Sequence, residues 1–202
     1  MKYSEKELFG GAITSDLPAS WRDLSDIRPI PDNQECFQDS FVSENPTMLV
    51  VEILEMQTDV EDYCAASFFF NDLAERNDAM QNKNDIRFFT SKDHATSPAL
   101  LNDDGSNKVR ACAGYGYQKV AMGRDLNAGG ESRRATQEIK CIRVDLHVFR
   151  LPLQETDLLI TISSPADVTN LDEVPSEMSP ATSAILSRVV STFQIRDWGL
   201  FG

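Results

Sequence analysis

The run from residue 137 to 151 constrains this chain most. Ile142, Val144, Leu146 and Val148 alternate with Cys141, Arg143, Asp145 and His147. A period of two is the signature of a β-strand, because successive side chains point to opposite faces. One apolar and one polar face predict a half-buried antiparallel strand with its polar side in water. Pro152–Gln154 and Glu155 then make a tight connection, and residues 156–163 resume a strand pattern. The pair reads as a β-hairpin.

Other segments follow the same logic. Residues 48–56, Met-Leu-Val-Val-Glu-Ile-Leu-Glu-Met, are apolar on both sides for most of their length, which predicts a central strand covered on both faces. Shorter strands are expected at 8–14, 34–41 and 85–91, and a long one at 108–120. Residues 16–31 are rich in turn formers, with room for one helical turn at 20–24. A helix is predicted over 60–76, capped by Asp59, with Phe68, Phe69 and Phe70 read as core. A second helix follows Ser179, with Pro180 at its first position and Thr182, Ile185, Leu186, Val189, Val190 and Phe193 at helical spacing. The apolar ending after Asp197 is expected to dock back on the fold. Residues 92–107 and 123–134 read as polar loops between strands. Strands, helix, consecutive strands and helix in this order define an α+β fold: one domain over residues 1–202, with a central, largely antiparallel sheet flanked by helices.

Charge narrows the partners. Against 19 Lys and Arg stand 32 Asp and Glu, a net charge of −13. Such a surface repels phosphate backbones and anionic lipid, so neither nucleic acid nor membrane is expected as a partner, while a basic protein surface is permitted. No apolar run approaches the roughly 18 residues of a membrane-spanning helix. The first residues, Met1 to Glu7, are polar and acidic, without a signal core or an Arg-rich transit pattern, which places the chain in the cytosol or nucleus. No long apolar stripe remains after the elements are assigned, so a monomer is expected.

Catalytic and metal chemistry find little footing. Cys36, Cys64, Cys112 and Cys141 are widely spaced and form no C-x-x-C, so packed free thiols are the simplest reading. Zinc fails on spacing and on histidine supply, with only His94 and His147, both read as surface residues. Gly130-Glu131-Ser132-Arg133-Arg134 lacks the second glycine of a nucleophile elbow. Gly114-Tyr115-Gly116 lacks the third glycine of a dinucleotide fingerprint and lies inside a strand pattern. Those glycines read as a bulge or a place of close backbone approach. No catalytic residue, metal or cofactor is expected.

Three segments carry a resemblance. The first is Glu7-Leu8-Phe9-Gly10-Gly11-Ala12-Ile13, followed by Asp23-Leu24-Ser25-Asp26-Ile27-Arg28-Pro29-Ile30-Pro31-Asp32-Asn33-Gln34-Glu35. The second is Phe149-Arg150-Leu151-Pro152-Leu153-Gln154-Glu155-Thr156-Asp157-Leu158-Leu159-Ile160-Thr161, and the third is the ending Leu200-Phe201-Gly202. Together they resemble the Ran guanine nucleotide release factors. The resemblance implies a fold similar to the PsbP proteins, binding of the GTPase Ran, release of its guanine nucleotide, and a place in nuclear transport, in the nucleus and also the cytoplasm.

The resemblance also puts the acidic pair Asp32 and Glu35 on the Ran-binding surface, with Arg28, Asn33 and Gln34 around them as weaker candidates. Read locally, Pro31-Asp32-Asn33 is turn chemistry, and Asp32 would hold the turn itself. The resemblance reverses that preference for Asp32 and Glu35; Arg28 stays open between partner contact and structural ion pair. Gly10-Gly11 is read as a structural device, and Trp21 and Trp198 as packed. Nucleotide release needs no nucleophile: a partner that prefers the empty GTPase weakens nucleotide binding by the same factor. The rival is a Ran-binding adaptor or scaffold without exchange activity of its own.

Overall fold

The computed structural model describes residues 1–41, 46–79, 85–91, 109–121, 138–174 and 180–202. The expected loops at 92–107 and 123–134, His94 and the Ser179 cap lie outside them. Ten strands and two helices are described: β1 (Tyr3–Leu8), β2 (Ile13–Pro18), β3 (Trp21–Asp23), β4 (Gln34–Asp39), β5 (Met48–Glu55), α1 (Ala65–Arg76), β6 (Ile86–Thr90), β7 (Arg110–Ala121), β8 (Ile139–Leu151), β9 (Thr156–Ala166), α2 (Pro180–Thr192) and β10 (Gln194–Ile195). Seven strands form one sheet in the order β3-β4-β5-β9-β8-β7-β6, and β1-β2-β10 form a small second sheet. All pairings are antiparallel. The fold is the expected α+β class.

Two layers cover the large sheet. On one face α1 packs Ala65, Ala66, Phe69 and Phe70 onto Val144, Leu146, Val148 and Leu159. On the other, Leu8, Ile13 and Leu17 of the small sheet and Ile185, Val189, Val190 and Phe193 from the α2 region join Phe37, Leu49, Val51, Phe149, Leu158 and Ile160 in the main core. Trp198, Leu200 and Phe201 pack against the same core, so the ending docks back as expected. Burial of this kind contributes roughly 25 cal/mol per Å² of apolar surface and is the main source of stability.

Several expectations are corrected. The strand expected over 8–14 is a hairpin: β1 and β2 pair from Tyr3 with Pro18 to Leu8 with Ile13, and Phe9–Gly11 form the 3-10 turn between them. Three successive residues there have positive φ, Phe9 at 51°, Gly10 at 66° and Gly11 at 92°, so the glycines supply the left-handed turn. The helical turn expected at 20–24 is β3, whose backbone pairs with β4 from Trp21 with Asp39 to Asp23 with Phe37. Helix α1 begins at Ala65 rather than 60, after a 3-10 turn at Asp62–Cys64. Asp59 does not cap it. The Val60 carbonyl and Asp62 carboxylate are instead taken by the Arg150 guanidinium. Strand β5 is covered unevenly: Leu49 and Val51 are buried, but Val50 is half-buried because α1 lies over β6, β7 and β8.

The largest correction concerns β8. Its polar side is not in water. Asp145 is 0% exposed, His147 3% and Arg143 6%. Arg143 makes bonds of 2.9–3.1 Å from Nε and Nη2 to the Asp145 carboxylate, and Nη1 donates to the Tyr117 hydroxyl at 3.0 Å. Its guanidinium also lies 4.3 Å from the centre of the Tyr115 ring. The His147 ring packs 4.6 Å from that of Phe149. A buried charge is tolerated only when paired and hydrogen-bonded, and this pair is both.

Gly114 and Gly116 are places of close approach, without a bulge: the β7–β8 register is continuous through both. A Cβ on Gly116 would lie 2.4 Å from the Arg87 carbonyl oxygen and 2.5 Å from the Phe70 ring. The absent side chains let α1 and β6 come down on β7. Cys36, Cys112 and Cys141 are buried, Cys64 is half-buried, and all four are free thiols.

Candidate functional site

The acidic segment sits where chain direction turns into β4. Pro31 and Asp32 are exposed, and the Pro31 carbonyl accepts from the Gln34 amide at 2.9 Å, closing the turn. Asn33 then registers the strand. Its carbonyl accepts from the Ile53 amide at 2.9 Å and its Nδ2 donates to the Ile53 carbonyl at 3.0 Å. Gln34 Nε2 donates to Glu52 Oε1 at 2.6 Å across the β4–β5 pair. Asn33 and Gln34 are therefore committed to the sheet, while the Asp32 carboxylate is presented to solvent.

Glu35 is half-buried and differently placed. Strand alternation puts it on the side of Phe37, facing the small sheet. There Oε1 accepts from the Phe9 amide at 2.6 Å, at the entrance to the β1–β2 turn. Burial pushes the Glu35 carboxyl above its ordinary range; the Phe9 hydrogen bond lowers it and the Asp23 carboxylate raises it again. The site is acidic beyond the expected pair. Glu35, Glu52 and Asp23 all act on the buried Cys36 thiol, which burial pushes up and Arg28 pulls down. Arg28 is exposed, at the end of a turn in which the Leu24 carbonyl accepts from the Ile27 and Arg28 amides at 3.0 Å. Ile27 beside it is 56% exposed. Asp23 Oδ1 accepts from the Ser25 amide at 2.8 Å and fixes the start of that segment.

Asp32 and Glu35 thus lie on one end of the sheet, since three residues of extended chain reach at most about 11 Å. Sequence reasoning missed Phe9, whose amide meets Glu35, and Glu52, whose carboxylate holds Gln34. Nothing in the local pattern announces the first contact, which joins residues 26 apart. The Gln34–Glu52 pairing is readable only once the β4–β5 register is known. Among the described residues no group of three His, Cys, Asp or Glu is arranged to hold a metal ion, and no helix is long and apolar enough to cross a membrane.

Fold and site together describe an α+β sandwich with an acidic turn exposed at one end of its large sheet. Residues 6–165 match the family described as Ran-interacting Mog1 protein, and the chain belongs to that family. It is similar to the Ran guanine nucleotide release factor of Danio rerio, 29% identical over 98% of this chain and 99% of that protein. It is also similar to the nuclear import protein mog1 of Schizosaccharomyces pombe, 30% identical over 93% of this chain and 91% of the relative. The crystal structure of the Saccharomyces cerevisiae Ran-binding protein Mog1p superposes with a TM-score of 0.65 at 22% identity, covering all of both chains, and shows the shared fold.

Proposed function

We propose that this chain binds the small GTPase Ran and promotes release of its guanine nucleotide, supporting nucleocytoplasmic protein transport, in the nucleus and the cytoplasm. Residues 1–202 act as a single Ran-binding domain. The observation that carries this reading is family membership over residues 6–165, together with near full-length relatives named as a release factor and a nuclear import protein. The chain is a regulator of a GTPase and not itself a catalyst. Its mechanism is linkage: tighter binding to empty than to loaded Ran must loosen the nucleotide by an equal factor.

The contact surface is the acidic end of β4. Asp32 meets a basic group of Ran directly, and Glu35 belongs to the same surface. Arg28, Asn33 and Gln34 shape its edges. The exposed Asp32, the neighbouring carboxylates and the exposed Ile27 support this placement. Charge complementarity here sets the speed and register of encounter.

The test is release of a fluorescent guanine nucleotide from purified Ran, loaded with GTP or with GDP, as this protein is titrated in. Dose-dependent acceleration is expected. Unchanged release with stable binding to loaded Ran would instead identify an adaptor without exchange activity. Absence of both would overturn the reading.

A further inference from the structure

The Phe9–Gly11 turn and the Asp32 turn come from different sheets and from distant parts of the chain. One side-chain bond ties them, the 2.6 Å contact from the Phe9 amide to Glu35 Oε1. Phe9 carries a positive φ of 51° although it is not glycine. A left-handed conformation is costly for a residue with a side chain, because Cβ crowds the following carbonyl oxygen. The cost is met because the Phe9 side chain packs against the main core while its amide is held by a carboxylate. The next residue, Gly10, is exposed, and a Cβ built on it finds nothing within 4 Å. The turn is therefore held through the Phe9 amide and bare at Gly10, and Glu35 ties it to the strand that Asp32 leads into.

Resting on the Ran-binding reading above, we infer that the Phe9–Gly11 turn is part of the partner-contact surface, and that Glu35 is its positioning residue rather than a direct charge contact. Asp32 meets the basic group of the partner. Glu35 acts through the Phe9 amide, holding the left-handed turn at the height where the Gly10 backbone meets the partner. The two carboxylates then have different requirements. Asp32 must be charged. Glu35 needs an oxygen that accepts a hydrogen bond, and a glutamine oxygen serves for most of that purpose. Position 10 needs glycine for close approach, beyond the left-handed φ that asparagine can also adopt.

The experiment uses the full chain with purified Ran and measures affinity by calorimetry at two salt concentrations. Amide exchange at Phe9 is followed by NMR in the same variants, and thermal midpoints report the fold. Asp32→Asn should weaken binding about tenfold and flatten its salt dependence. Glu35→Ala should weaken binding by a similar factor and speed exchange at the Phe9 amide. Glu35→Gln should restore most of that affinity, keep the salt dependence and keep Phe9 protected. Gly10→Asn, which tolerates the left-handed conformation, should reduce affinity while the thermal midpoint holds. The inference fails if Glu35→Gln binds as poorly as Glu35→Ala with Phe9 still protected, because charge at Glu35 would then be what the partner reads. It fails equally if Gly10→Asn binds normally. Unchanged binding by Asp32→Lys would sink the underlying surface assignment itself, a result separable from either of these.

Discussion

Arg150 and Asp157 stand directly opposite one another in the β8–β9 ladder, and both are enclosed, at 1% and 0% exposure. Arg150 Nε donates to Asp157 Oδ1 at 2.9 Å. The rest of the guanidinium is used as well: Nη2 donates to the Gln57 carbonyl at 2.6 Å, and Nη1 to the Val60 carbonyl and to Asp62 Oδ1. The second Asp157 oxygen accepts from the Gln57 amide at 3.0 Å. Asp62 in turn pairs with Arg110. The Arg and Asp of the family-like segment at 149–161 are thus a staple that fastens the 56–62 connection to the hairpin.

Removing Arg150 should therefore be costly out of proportion to its charge. Arg150→Met leaves a buried carboxylate and two carbonyls without their donor, and is expected to destabilise by about 3–5 kcal/mol. Urea unfolding monitored by tryptophan fluorescence measures this. A loss below about 1 kcal/mol would show that water replaces the guanidinium.

Gly116→Ala should destabilise by about 1–3 kcal/mol, through overpacking between α1, β6 and β7. The clash involves the Arg87 backbone as well as the Phe70 ring, so rotamer changes alone do not relieve it. A thermal midpoint equal to the native one would refute the close-approach reading.

Burial pushes the Cys141 thiol up to about 11 from an ordinary 9.0, against a small lowering by Lys119. Its folded pKa lies above the unfolded one. The resulting stability is full below pH 9 and is lost as pH rises through 11, because only the unfolded thiol ionises in that window. The stability advantage of the native chain over Cys141→Ala should shrink between pH 8 and pH 11. Denaturant curves at those two values test the sign. Iodoacetamide should reach half-buried Cys64 before the three buried thiols.

Reversing both acidic positions, with Asp32→Lys and Glu35→Lys, should abolish Ran binding while the chain stays folded. Loss of the Asp32 pair, loss of the Glu35 hold on the Phe9 turn and new like-charge contacts cost several kcal/mol together. Pull-down and circular dichroism on the same preparation separate loss of contact from loss of fold.

Legibility in the sequence followed the range of the interactions. Strands β5, β7, β8 and β9 were readable because period two is a local signal. The burial of Arg143 and Asp145 was not, because polar residues in alternation resemble a wet face. A clue was present: opposite charges two residues apart on a strand share a face and can pair. The start of α1 was misplaced because Asp59 and Asp62 offer caps locally, whereas Arg150, 88 residues away from Asp62, claims that carboxylate. The position of Asp32 in an exposed turn was legible from Pro-Asp-Asn. The bond from Phe9 to Glu35 was not, since it depends on how two sheets stack.

The seam between β5 and β9 carries a kinetic consequence. It pairs Met48 with Ser163 and Glu55 with Thr156, positions about a hundred residues apart, and it is the only junction between the β3–β5 half of the large sheet and the rest among the described strands. Hairpins such as β8–β9 close over a few residues, but this pairing must wait for a long loop to close, which slows folding toward the millisecond-to-second regime of non-local β proteins. The acidic end of β4 sits on the far side of that junction. That end belongs to the half of the sheet the junction joins to the rest, so substitutions along the seam should delay the appearance of binding competence even where they leave the surface itself untouched.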